Sequence, residues 1–171
     1  YHYLKENLYY PDAKPNVIHQ KMAALTQQGR AGVITQNIDN LYQVANTKNL
    51  VEFHGNLYQI YCTKCGKSVP FQDYLKTPYH QADHGYLRPK VVLYDEGIDQ
   101  NNVARSLALL SQADLVVICG TSFRVYPFAG LIDYRNSAAK VMAINEEPLQ
   151  LPFAFEMVQK NAIDFFKGVT V

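Results

Sequence analysis

Residues 114–122 read DLVVICGTS: an apolar run from Leu115 to Cys119 that passes directly into a Gly-Thr-Ser turn. An apolar run of strand length without polar alternation has no natural solvent face. It therefore predicts a strand covered on both sides, as in a parallel sheet. KVMAIN, ending at Asn145, repeats the pattern, and AGVIT, ending at Thr35, is a shorter version of it. Between these runs stand helical stretches. VIHQKMAALTQQG puts Ile18, Met22 and Leu25 on one face with Gly29 as a stop, and NNVARSLALLSQA does the same with Val103, Leu107 and Leu110. Another helical stretch carries Leu41 and Ala45, Pro127 opens a helix in PFAGLIDYR, and a last helix lies around 162–168. Residues 50–61, LVEFHGNLYQIY, read as two short strands broken at Gly55, and RPKVVLYDEG restores a strand. Strands alternating with helices predict an α/β fold on a mainly parallel sheet.

Bulk properties narrow the function. A chain of 171 residues holds one domain with room for a small appendage. A hydrophobic content of 48% and a charged content of 18% are globular values, and a net charge of +1 gives no electrostatic case for nucleic acid or an acidic membrane. The longest apolar runs are strand-length, so no helix that crosses a bilayer is expected. Three cysteines, two of them in a Cys-x-x-Cys pair, predict a reducing cytoplasmic setting rather than a disulfide scaffold. The tyrosine-rich opening, YHYLKENLYY, reads as the interior of a longer protein.

In an open parallel sheet, ligands gather beyond the carboxyl ends of the strands. Three polar clusters are predicted there: Thr35-Gln36-Asn37-Ile38-Asp39, Gly120-Thr121-Ser122 and Asn145-Glu146. Read singly, each is an ordinary capping turn. Read together, they suggest a nucleotide site, because amides and hydroxyls suit ribose and a glycine turn can approach phosphate. His54, in EFHGNLY, is a candidate base near neutral pH, although a lone histidine beside a strand is more often structural. Residues 62–90 are polar and turn-rich, and there Cys62, Cys65, His80 and His84 have the spacing C-x2-C-x14-H-x3-H of a structural zinc site. The bland alternative is two cysteines and two loop histidines that hold nothing.

TQNIDNLYQVANTKNLVEFHGNLYQIYCTKCG resembles the centre of the sirtuin (Sir2) family of NAD-dependent protein deacylases. The likeness continues in order through LRPKVVLYDEG, ADLVVICGTSFRVYPFAGLI and AINEEP, and covers nearly the whole chain. It implies a Rossmann-like domain over 1–61 and 86–171, interrupted at 62–85 by a small zinc-ribbon-like insertion, with the family's first strand and Gly-Ala-Gly loop falling before Tyr1. By resemblance, Gln36, Asn37, Ile38 and Asp39 line the nicotinamide-ribose pocket, and His54 is the general base, with Asn37 and Asp39 orienting ribose and water. Gly120, Thr121 and Ser122 hold the phosphate and ribose part of NAD, Asn145 and Glu146 lie beside the adenosine ribose, and Ala162 lies near adenine. Val92, Tyr94, Glu96 and Val125 flank an acylated protein or peptide bound as an added strand.

The most serious departure from the family pattern is at the front, where the family's cofactor loop with its arginine also falls before Tyr1, and smaller changes follow. Asn40 stands where glycine is usual, Tyr42 where histidine is usual, and Asp95 where the usual Phe-Gly-Glu has its glycine. The family's second cysteine pair is absent, with Gln81 near the third position and His84 near the fourth. The resemblance implies an NAD-dependent lysine deacylase. Its alternatives are a sirtuin-like ADP-ribosyltransferase and a non-catalytic NAD- or zinc-binding fragment.

Overall fold

The computed structural model describes residues 1–171. Two helices lead, α1 (His2–Asn7) and α2 (Val17–Gln27), followed by β1 (Val33–Thr35), α3 (Leu41–Val44) and β2 (Leu50–Glu52). Then come β3 (Gly55–Cys62), β4 (Ser68–Val69), α4 (Phe71–Lys76) and β5 (Leu87–Val91). The remainder is α5 (Gln100–Gln112), β6 (Leu115–Cys119), a 3-10 helix (Phe128–Tyr134), β7 (Lys140–Asn145), β8 (Glu156–Gln159) and α6 (Ala162–Lys167). α2 begins where Asn16 turns its side chain onto the backbone N–H groups of Ile18 and His19, at 2.9 and 3.3 Å. α5 begins in the same way at Asp99, whose carboxylate accepts from Asn101 N–H at 2.8 Å.

The apolar runs pair in parallel, as strands joined by helices must. β1 pairs with β2, Val33 opposite Leu50, and β6, β7 and β8 form a second parallel set in that order. The two sets are not hydrogen-bonded to each other, so β1 and β6 each keep an unpaired edge. Packing joins them instead. Phe53, Leu110 and Leu131 form a core against which Ile34 of β1 and Val116 of β6 both pack, and α2 packs on α6. A third, antiparallel sheet has the order β4-β3-β5 and covers Ile60, Cys62, Tyr74 and Leu87.

Several features differ from the sequence reading. PFAGLIDYR forms a 3-10 helix, not an α-helix. The turn-rich segment contains a short strand, β4, and a helix, α4, whose Tyr74 is buried. β6 is covered on one face only: Leu115 is 48% and Val117 42% exposed, whereas Ile118 is buried. The apolar run promised burial on both faces, but the Leu115–Val117 side stays partly open to solvent.

Candidate functional site

Gly55 sets the frame of the site. Its φ of +83° is left-handed, and a Cβ there would overlap the Lys90 carbonyl oxygen. Only glycine lets β3 lie this close to β5, with Gly55 opposite Val91. That contact places His54, one residue earlier, against the start of the Val92–Glu96 segment: Val92 N–H donates to the His54 carbonyl at 3.0 Å. The His54 ring meets Phe53 edge-on at 5.5 Å and lies 6.4 Å from Phe128. Burial lowers its pKa below the ordinary 6.5, opposed by the Gln36 backbone, so neutral imidazole predominates at pH 7. Gln36 and His54 are thus neighbours.

The turn after β1 is pinned at several points. Thr35 Oγ1 accepts from Asn37 N–H at 3.1 Å, Asp39 Oδ1 accepts from Leu41 N–H at 2.9 Å, and Leu57 N–H donates to the Ile38 carbonyl at 3.0 Å. Asn40 takes a left-handed φ of 66°. Beneath it lies Asn56, a residue that sequence reasoning missed. It is buried, and its Nδ2 donates to Asn40 Oδ1 at 2.7 Å and to Glu52 Oε1 at 2.6 Å. Nothing in the local sequence marks Asn56, because its partners lie on β2 and the turn.

Tyr42 closes the other side. Its ring lies 4.5 Å from that of buried His19, and its pKa is pushed up to about 12 by burial first, then by Cys119 and Asp39. The carboxyl end of β6 runs into its own turn. There Gly120 (φ +62°) donates its N–H to the Ile144 carbonyl at 3.0 Å, and Thr121 Oγ1 accepts from Phe123 N–H at 3.1 Å. At the end of β7, Asn145 donates to the Glu147 carbonyl at 3.0 Å. Glu146 accepts from Asn161, the cap of α6, at 2.9 Å, which brings Ala162 near it. The donor set of hydroxyls, amides and one carboxylate at these strand ends fits a dinucleotide with two riboses and a diphosphate.

Beyond Val92, the chain turns outward. Tyr94 and Val125 are exposed, and Asp95 sits at φ 67°. Glu96 is already engaged, accepting from Arg88 at 2.6 Å and from Leu93 N–H at 2.9 Å. It braces this segment.

The cysteine pair has its own cluster. Cys62, Cys65, His80 and Asp83 bring their ligand atoms within 4.8 Å of one another. His84 lies outside that group: it is exposed, at φ 54°, with its N–H bonded to the His80 carbonyl at 2.9 Å. Asp83 Oδ1 lies 3.4 Å from Cys62 Sγ and 3.0 Å from His80 Nδ1, and His80 Nδ1 lies 3.6 Å from Cys65 Sγ. The Gly85 N–H, then the Cys65 thiol, hold the Asp83 carboxyl below the usual carboxylate range. Thiolate, imidazole and carboxylate are all zinc donors, so this set fits a structural zinc ion.

Parallel strands joined by helical crossovers, with polar turns at their carboxyl ends, define an α/β protein built on parallel sheets. The model of the Sir2 family matches residues 1–127. An NAD-dependent protein deacetylase of Lactiplantibacillus plantarum is 77% identical over 171 residues, all of this chain and 73% of that protein. One from Listeria monocytogenes is 50% identical over 169 residues, covering 99% of this chain and 74% of that protein. Among solved structures, Sir2 with a p53 peptide and NAD+ superposes with a TM-score of 0.87 at 32% identity, covering 98% of this chain and 74% of that one. Sir2 bound to an acetylated peptide gives 0.88 at 31% identity, with coverages of 98% and 74%. The chain belongs to the Sir2 family.

Proposed function

We propose that this chain carries the core of an NAD-dependent protein lysine deacylase, which removes acyl groups from lysine and releases nicotinamide and O-acyl-ADP-ribose. The observation that carries the reading is the placement of His54: a half-buried imidazole edge-on to Phe53, whose backbone carbonyl receives the N–H of Val92 at the start of the Val92–Glu96 segment. NAD, when bound, supplies a ribosyl carbon that parts with nicotinamide and takes the acyl oxygen.

The chain's own residues divide the remaining work. Neutral His54 accepts a proton from a ribose hydroxyl, the task of a base that is unprotonated at ambient pH. Gln36, Asn37, Ile38 and Asp39 line the ribose side, and the Asn40–Asn56–Glu52 network keeps that turn from shifting as ligand enters. Gly120, Thr121 and Ser122 bind phosphate and ribose, Asn145 and Glu146 the second ribose, and Ala162 lies by the adenine. Val92, Tyr94 and Val125 border the acylated peptide, with Glu96 bracing that border through Arg88.

The test is mass-spectrometric product analysis with NAD and an acetyl-lysine peptide, on this chain and on a longer protein that contains it. Acetyl-ADP-ribose with free nicotinamide is the expected product pair. His54→Ala is expected to lower turnover by roughly 10²–10⁴-fold with the circular dichroism spectrum unchanged. ADP-ribose attached to protein would move the reading to a transferase. Full activity in His54→Ala would remove the histidine from the chemistry.

A further inference from the structure

We propose that Asp83 is the fourth ligand of a tetrahedral zinc site with Cys62, Cys65 and His80, and that His84, which the spacing selects, takes no part. Zinc bonds of roughly 2.0–2.3 Å in a tetrahedron put neighbouring donors roughly 3.3–3.8 Å apart. The separations of 3.4 Å (Cys62 to Asp83) and 3.6 Å (Cys65 to His80) fall in that range, and the 3.0 Å from His80 to Asp83 is slightly tighter. Two thiolates and an imidazole favour zinc over magnesium or calcium, which prefer all-oxygen shells.

The loop is built to deliver Asp83. Gly85 N–H donates to Asp83 Oδ1 at 2.9 Å, orienting the carboxylate as an outer-shell donor orients a ligand. Lys64 Nζ holds the Asp83 carbonyl at 2.9 Å, tying the loop to the Cys-x-x-Cys turn. A Cβ on Gly85 would overlap Cys62 Sγ and come within 2.6 Å of Lys64 Cβ, so only glycine lets the loop close over the cysteine. His84, at φ 54°, occupies the outer corner of the same bend and is exposed. The bend that brings Asp83 inward thus carries His84 away. The result is a zinc site with two sulfur donors, one nitrogen and one oxygen.

Cobalt(II), titrated into metal-free protein, is the probe. The wild-type chain is expected to bind one equivalent, with the visible bands of tetrahedral cobalt and a near-ultraviolet thiolate charge-transfer band. His84→Ala should leave affinity and spectrum unchanged. Asp83→Asn should weaken binding at least about tenfold. Should Asp83→Asn fail to fold, Asp83→Cys decides the matter: tetrahedral bands retained with stronger charge transfer place residue 83 on the metal. Unchanged charge transfer in Asp83→Cys, loss of the site in His84→Ala, or no cobalt bound by wild type would each overturn the proposal.

Discussion

At the scale of single residues, the site depends on a histidine kept neutral and on side chains that accept unusual backbone. Burial lowers the His54 pKa below 6.5 in the folded chain. Activity that requires neutral imidazole should therefore fall on the acid side with a midpoint below 6.5, read from kcat/KM against pH. A midpoint above 6.5 would mean that a neighbour favours the cation instead. The stability sign follows the same shift: the contribution of this group is present above pH 6.5 and is lost as pH falls through the folded value. Two departures from the family pattern, Asn40 and Asp95, have φ values of 66° and 67°. Asparagine and aspartate tolerate left-handed backbone better than other residues with a Cβ, so both can stand where glycine is usual without refolding the turn.

At the scale of elements, the His-Gly pair is a joint between strands. Gly55→Ala places a methyl group on the Lys90 carbonyl and forces a residue with a side chain to φ +83°. The expected outcome is a loss of about 2–4 kcal/mol in denaturant unfolding, from left-handed strain together with steric overlap. Hydrogen exchange should locate the damage at the pairing of β3 with β5, around Gly55 and Val91. Unperturbed exchange there would separate the glycine from the joint. The main helices were legible because their starts are written locally: Asn16 and Asp99 cap α2 and α5, and the apolar positions recur at helical spacing. β8 was not, because EMVQ carries little apolar signal and becomes a strand by pairing with β7, Met157 opposite Ala143.

At the scale of the whole molecule, two parallel sets of strands are held by packing rather than by a shared ladder. β6 combines an unpaired edge with an apolar face on which Leu115 and Val117 are 48% and 42% exposed. Such strands recruit other chains. Sedimentation velocity of the 171-residue chain should show association that grows with concentration, and Val117→Lys should reduce it by placing a charge on that face. A wild-type chain that stays monomeric at high concentration would mean the face is covered in solution. No helix is long and apolar enough to cross a membrane.

The sequence by itself determined what is local: apolar runs of strand length, helix faces and caps, polar turns after strands, the His54-Gly55 pair and the Cys62-x-x-Cys65 turn. These follow from periodicity and backbone preference within a few residues of chain. Only the tertiary structure decided that Asn56 bridges Glu52 and Asn40, that one face of β6 is partly exposed, and that Asp83 rather than His84 lies with Cys62, Cys65 and His80. Each of these depends on where a bend points and what then lies beside it. Spacing along the chain counts residues without recording direction, and a left-handed turn at His84 is enough to send adjacent side chains to opposite sides.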